Sequence, residues 1–124
     1  MTICFDLDNT LCRTQGGDYE KSLPIKCRID IVNELARDNH IIIDTARGSV
    51  TKKNWKKLTK KQLKEWGVKY NELRVGKKVY ADFYVDDKAI NSEDFYEKII
   101  NRNRRQNINQ MVRGKRVCEC FRRG

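Results

Sequence analysis

Thr2-Ile3-Cys4-Phe5-Asp6-Leu7-Asp8-Asn9-Thr10 is the stretch that decides how this chain is read: a short apolar run ending in two carboxylates. Ile3 to Leu7 reads as a buried strand. Side chains two apart on a strand share a face, so Asp6 and Asp8 are expected at one site where the strand opens into a loop. Two acids at the end of a buried strand need protons or a cation, because a charge removed from water has to be paired. A metal ion meets that need. The plainer alternative is a turn or helix cap, a position that Asp, Asn and Thr all favour.

The same alternation of short apolar runs with helical spacing continues along the chain. Cys12 to Leu23, with Gly16-Gly17, reads as a loop leaving the site and a candidate lid. Ile25, Ile29, Val32 and Ala36 follow one helix face, and Ile41-Ile42-Ile43 is a second strand that runs into Asp44-Thr45-Ala46-Arg47-Gly48. A second helix is expected from about Thr51 to Gly67, with Trp55, Leu58, Leu63 and Trp66 inward and a lysine-rich outer face. Leu73-Arg74-Val75 is a third strand leading to Gly76-Lys77-Lys78. Phe83-Tyr84-Val85 is a fourth, ending in Asp86-Asp87, and a last helix starts near Asn91 or Ser92. Strands alternating with helices argue for a parallel sheet, whose ligand site lies at the carboxyl ends of its strands.

At 124 residues the chain suits one α/β domain and leaves no room for a separate substrate domain. Residues 1–101 are expected to form that domain and 102–124 a basic tail, helical or partly disordered. From Glu97 onward nine Lys or Arg face two Glu, while the first 96 residues are nearly balanced in charge. Such a tail suits a polyanion or nucleic-acid partner, or simply a solvated end. Val117 to Phe121 alternates as an edge strand or dimer contact would, which leaves a homo-oligomer open.

No apolar run approaches the roughly 20 residues of a membrane span, and the N-terminus lacks the basic segment of a signal peptide, so no membrane partner is expected. Five cysteines, an odd count without CxxC spacing, are expected as reduced thiols of a cytoplasmic protein.

Asp6, Asp8, Thr45, Lys77, Asp86 and Asp87 thus gather, in expectation, at one sheet edge, and each answers a need of phosphoryl transfer. An ionised Asp6 serves as nucleophile. Mg²⁺, held by Asp6, Asp86 and a backbone carbonyl within the acid set of Asp6, Asp8, Asp86 and Asp87, offsets the repulsion of an incoming phosphate. Thr45 and Lys77 hold the phosphoryl oxygens, and Asp8 protonates the leaving group. Response-regulator receiver domains use a similar acid cluster but in the reverse order along the chain.

In these residues the chain resembles the haloacid dehalogenase superfamily, whose first motif, DxDxT, is matched by Asp6-Leu7-Asp8-Asn9-Thr10. Ile41 to Thr45 resembles the second motif, Lys77 the third, and Tyr84-Val85-Asp86-Asp87 the fourth. Thr45-Ala46-Arg47, Gly76-Lys77 and Phe83 to Ile90 are most similar to the small capsule-biosynthesis phosphatases of that superfamily. Asp44 departs from the pattern, which usually has an apolar or aromatic residue there, and so does Lys78, often a proline.

The resemblance implies a Rossmann-like three-layer fold with a minimal cap or none, and Mg²⁺ as cofactor. It also implies Asp6 as nucleophile, Asp8 as acid/base, and a phosphorylated sugar or small metabolite as substrate. In so short a chain, a small substrate needs help from Arg47, the Cys12 to Leu23 loop or a neighbouring subunit. The alternatives are a phosphatase of nucleotides or nucleic-acid ends, and an idle module that binds polyanions through its tail.

Overall fold

A computed structural model describes residues 1–106, with side chains through residue 101. It divides into two compact units, Met1–Asp82 and one that begins at Phe83. The first contains β1 (Thr2–Phe5), β2 (Cys12–Arg13), a single 3₁₀ turn (Tyr19–Lys21) and β3 (Leu23–Pro24). It continues with α1 (Lys26–Leu35), β4 (His40–Thr45), α2 (Lys56–Glu65) and β5 (Glu72–Val75). The second contains α3 (Ser92–Gln106).

β1, β4 and β5 form a parallel sheet in that order, with Ile3 opposite Ile41, Phe5 opposite Ile43, and Thr45 opposite Val75. The period-2 alternation divides the sheet into unlike faces. Phe5, Ile41, Ile43 and Thr45 are buried on one face. On the other, Thr2, Cys4, Glu72 and Arg74 are exposed, and Ile42 and Asp44 are half-buried. Right-handed crossovers from β1 to β4 and on to β5 put α1 and α2 on the same side of the sheet. Asn33 ties α1 to the segment that follows α2: its Nδ2 donates to the Gly67 carbonyl at 2.8 Å, and its Oδ1 accepts from the Lys69 N–H at 2.8 Å.

Ile29, Val32, Ile41, Ile43 and Leu63 fill the space between these helices and the sheet at 0–2 % exposure. Each such side chain stabilises the fold by about 1.5–3 kcal/mol. The first unit is therefore a mixed α/β structure with a small parallel sheet, of the Rossmann-like kind. It is two layers deep, so the expected third layer is not part of this unit.

Several sequence expectations are corrected. Phe83-Tyr84-Val85 forms no strand, and Phe83 and Val85 are 86 % and 98 % exposed. A three-residue apolar run bounded by Asp82 and Asp86 carries too little periodicity to set its own state. α2 begins at Lys56 rather than near Thr51, because Lys52 (φ 61°) turns the chain and Asn54 Oδ1 accepts from the Lys56 N–H at 3.0 Å. The loop from Cys12 to Leu23 is closed by the antiparallel pair β2 and β3, with Cys12 opposite Pro24.

Cys4 and Cys12 are free thiols, while the expectation for Cys118 and Cys120 lies outside the described residues. α3 runs through the boundary expected between 101 and 102. The expectations for 107–124, the polyanion-binding tail and the dimer contact of Val117 to Phe121 among them, lie outside the described residues. No helix among the described residues is long and apolar enough to cross a membrane.

Candidate active site

β1 ends at Phe5, and Asp6 to Leu11 make a tight turn beyond it. The Thr10 and Leu11 N–H groups donate to the Leu7 carbonyl at 3.1 and 2.8 Å. Asn9 sits at φ 62°, a left-handed conformation that asparagine tolerates, and its Oδ1 accepts from the Thr14 N–H at 3.1 Å. This turn leaves Asp6 at the end of the sheet and places Asp8 against Cys12 at the root of the β2–β3 hairpin.

The two carboxylates are thereby separated into different surroundings. The Asp6 side chain is 40 % exposed; Lys78 Nζ stands 3.5 Å from Oδ1, and Thr10 Oγ1 donates to Oδ2 at 3.4 Å. Partial burial pushes the Asp6 carboxyl above its ordinary range, and the Asp8 charge adds to this, while the Lys78 ammonium and the Leu7 N–H work against it.

Asp8 is instead gripped by Arg47, whose side chain is fully buried. Nη2 donates to Oδ1 at 2.8 Å and Nε to Oδ2 at 3.0 Å, the two-pronged geometry that makes such pairs strong. Thr14 Oγ1 also donates to Asp8 Oδ1, at 2.6 Å. The remaining Arg47 donors reach Ser22 Oγ at 3.3 Å from Nη2, and Thr59 Oγ1 at 3.2 Å and Gln62 Oε1 at 2.5 Å from Nη1. The Tyr19 ring lies 4.7 Å from the guanidinium carbon, and Gln62 Nε2 donates to the Tyr19 carbonyl at 2.6 Å, so the hairpin and α2 are joined through Arg47.

The expected role of Arg47 is therefore corrected. All five of its N–H groups are engaged inside the protein, which leaves none for a substrate phosphate; it positions Asp8 instead. Gly48 (φ 81°) makes that placement feasible, since a side chain there would collide with the Lys53 carbonyl oxygen. Thr45 is buried at the end of β4, and its Oγ1 accepts from the Arg47 N–H at 3.3 Å, which leaves the hydroxyl proton free to donate.

The cation beside Asp6 is Lys78, not the expected Lys77, which is exposed. Gly76 (φ 78°) ends β5 with its N–H on the Thr45 carbonyl at 3.1 Å, and Ser49 Oγ donates to the Lys78 carbonyl at 2.6 Å. These contacts fix which of the two lysines turns toward β1.

Asp86 and Asp87 lie in the second unit and are exposed. The Lys88 N–H, at 2.8 Å from Asp86 Oδ1, and a hydrogen bond with Asp87 hold the Asp86 carboxyl below its ordinary range. Among the described residues no group of three or more His, Cys, Asp or Glu is gathered so as to hold a metal ion. Asp44, on the opposite face of β4 from Thr45, has a shielded Oδ1 without a hydrogen-bond partner.

Sequence reasoning missed Thr14, Ser22, Thr59 and Gln62. For the last two a signal exists: they sit three apart within the helical stripe that runs from Trp55 to Trp66, where solvent-facing residues do not belong.

Fold and site together define a mixed α/β protein with a carboxylate pair at the carboxyl end of a parallel strand. A solved structure from Vibrio cholerae, a structural-genomics target, is similar to it with a TM-score of 0.69 at 26 % identity, over 86 % of this chain and 98 % of that one. No family model and no curated protein matches the chain.

Proposed function

We propose that this chain is a phosphomonoesterase of the haloacid dehalogenase type, acting through Asp6 on a phosphorylated sugar or another small metabolite. The supporting observation is the contrast between its two carboxylates: Asp6 is open to solvent beside one lysine, while Asp8 is held in place by Arg47. Nucleophile and acid/base need such different surroundings.

Asp6 attacks phosphorus, and the bond to the departing alcohol breaks as the bond to the carboxylate oxygen forms. The monoanion of the phosphate ester brings a proton to Asp8, and the departing oxygen takes that proton. Water then attacks the aspartyl-phosphate, Asp8 takes its proton, and phosphate leaves with Asp6 restored. Asp8 Oδ2 is the oxygen for this exchange, since it accepts only the Arg47 Nε hydrogen while Oδ1 is bound by Thr14 and Arg47 together. Lys78 and the Thr45 hydroxyl stabilise the phosphoryl oxygens.

Mg²⁺ remains part of this reading through the motif resemblance, and would offset the repulsion between a carboxylate and a phosphate anion. Of the four expected acids, Asp6 and Asp8 stand in the first unit and Asp86 and Asp87 in the second. In the first unit Lys78 and Arg47 occupy oxygens of both carboxylates, so that unit alone does not assemble a donor set.

The test is turnover of 4-nitrophenyl phosphate by the full chain with Mg²⁺, with EDTA, and in the Asp6→Asn variant. Activity is expected with Mg²⁺, lost with EDTA, and lower by at least about a thousandfold in the variant. Undiminished turnover by Asp6→Asn overturns the mechanism. A panel of sugar phosphates, nucleotides and end-phosphorylated oligonucleotides then separates the small-metabolite reading from its alternatives.

A further inference from the structure

α2 has two unlike sides. Thr59, Gln62 and Leu63 are buried, the first two holding Arg47. Lys57, Lys60, Lys61 and Lys64 form a row on the outer side, all exposed, with exposed Lys52, Lys53 and Lys56 before them. From Thr51 to Lys69 eight lysines stand against one acid, Glu65. None of the four row lysines forms an ion pair with another described residue.

The row opposes the helix that carries it. Lys57–Lys61 and Lys60–Lys64 are like charges one turn apart, which destabilises a helix. The first turn contains no acid, so Lys56 and Lys57 sit at the positive end of the helix dipole. A feature that works against its own local structure indicates a use elsewhere.

We propose that this face of α2 binds the sugar-phosphate backbone of a nucleic-acid strand without regard to base sequence. Three observations favour that partner. The row is linear and spans about 10 Å, with charges recurring every helical turn, which suits a chain of regularly spaced phosphates. Lysine acts there as a point charge for phosphate. Finally, the row contains no apolar or aromatic residue. A helix that enters a lipid surface presents an apolar face outward, and protein interfaces are poor in lysine and rich in aromatics. The proposal does not depend on the phosphatase reading, and its test uses oligonucleotides without terminal phosphates.

The experiment is fluorescence anisotropy of a labelled mixed-sequence 20-nucleotide single strand with the full chain, across a salt series. It compares the parent with a variant carrying Lys57→Gln, Lys60→Gln, Lys61→Gln and Lys64→Gln. Glutamine matches lysine in helix propensity, so the fold is retained. Affinity at moderate salt is expected to fall at least tenfold. The slope of log affinity against log salt should become shallower by about 2–3, near 0.7 for each contact removed. Tm should stay level or rise, since mutual repulsion is removed.

Unchanged affinity or slope overturns the proposal, as does a variant whose Tm drops, because the lysines then serve the fold. Equal competition by polyglutamate overturns it in favour of an acidic protein. A companion variant with Arg113→Gln, Arg116→Gln and Arg122→Gln is expected to lose less affinity; if it alone abolishes binding, the surface is the tail and not α2.

Discussion

Asp6 and Asp8 stand two residues apart, and their surroundings are opposites. Asp6 has one lysine, one threonine and solvent. Asp8 has a fully buried arginine fixed by residues from the hairpin and α2. Adjacent positions in a chain thus acquire different chemistry from what the rest of the fold delivers to each. The first can change its bonding partner cheaply. The second is held by a network in which several groups depend on one another.

Replacing the acid that is held gives the largest expected effect on this contrast. Asp8→Asn should lower turnover by about 10²–10⁴ on alkyl phosphates, and much less on an aryl phosphate whose phenolate leaves without a proton. Equal losses on both substrates would show that Asp8 does not move protons.

Removing the group that holds it comes next. Arg47→Met leaves Asp8 shielded without its partner, and breaking such a pair costs about 3–5 kcal/mol. Denaturant unfolding should show this loss, and the double variant with Asp8→Asn should lose less than the two single losses combined. Strict additivity would separate Arg47 from Asp8.

A smaller difference is expected between two neighbours. Lys78→Ala should reduce kcat by roughly tenfold or more, whereas Lys77→Ala should leave it within about twofold. The reverse ranking would return the role to Lys77.

The smallest effect is on pH dependence. Asp6 holds its proton more tightly in the folded chain than its ordinary pKa of 3.8 implies. Between that value and the raised one the folded state binds more protons than the unfolded, so this group's contribution to stability falls as pH rises through the window and is level above it. Tm measured from about pH 4 to pH 7 should lose that component in Asp6→Asn.

The three paired strands were legible because their apolar runs are buried in a sheet, and Asp6 and Asp8 because they end one of those runs. The Asp8 network was not. Arg47, two residues after Thr45, reads as a cation for the substrate, and the residues that bury it, Ser22, Thr59 and Gln62, come from places distant in sequence. The choice between Lys77 and Lys78 rests on the turn at Gly76 and on the hydroxyl of Ser49, neither of which marks one lysine over the other in sequence. The failure at Phe83 to Val85 differs in kind: an apolar triplet becomes a strand only when a neighbour accepts its hydrogen bonds, and a triplet does not name its neighbour.

Around Asp8 the hydrogen bonds close into a circuit: Arg47 Nη2 to Ser22 Oγ, Ser22 Oγ to Thr14 Oγ1, Thr14 Oγ1 to Asp8 Oδ1, and Asp8 back to Arg47. A guanidinium only gives hydrogens and an ionised carboxylate only takes them. Both hydroxyls between them are therefore oriented one way, Ser22 toward Thr14 and Thr14 toward Asp8. Hydroxyl rotors ordinarily retain orientational freedom; these two have surrendered it at folding, so no rotational entropy remains to be lost when a ligand arrives. The geometry around Asp8 Oδ2 is set before any substrate is present, by two side chains that need never touch it.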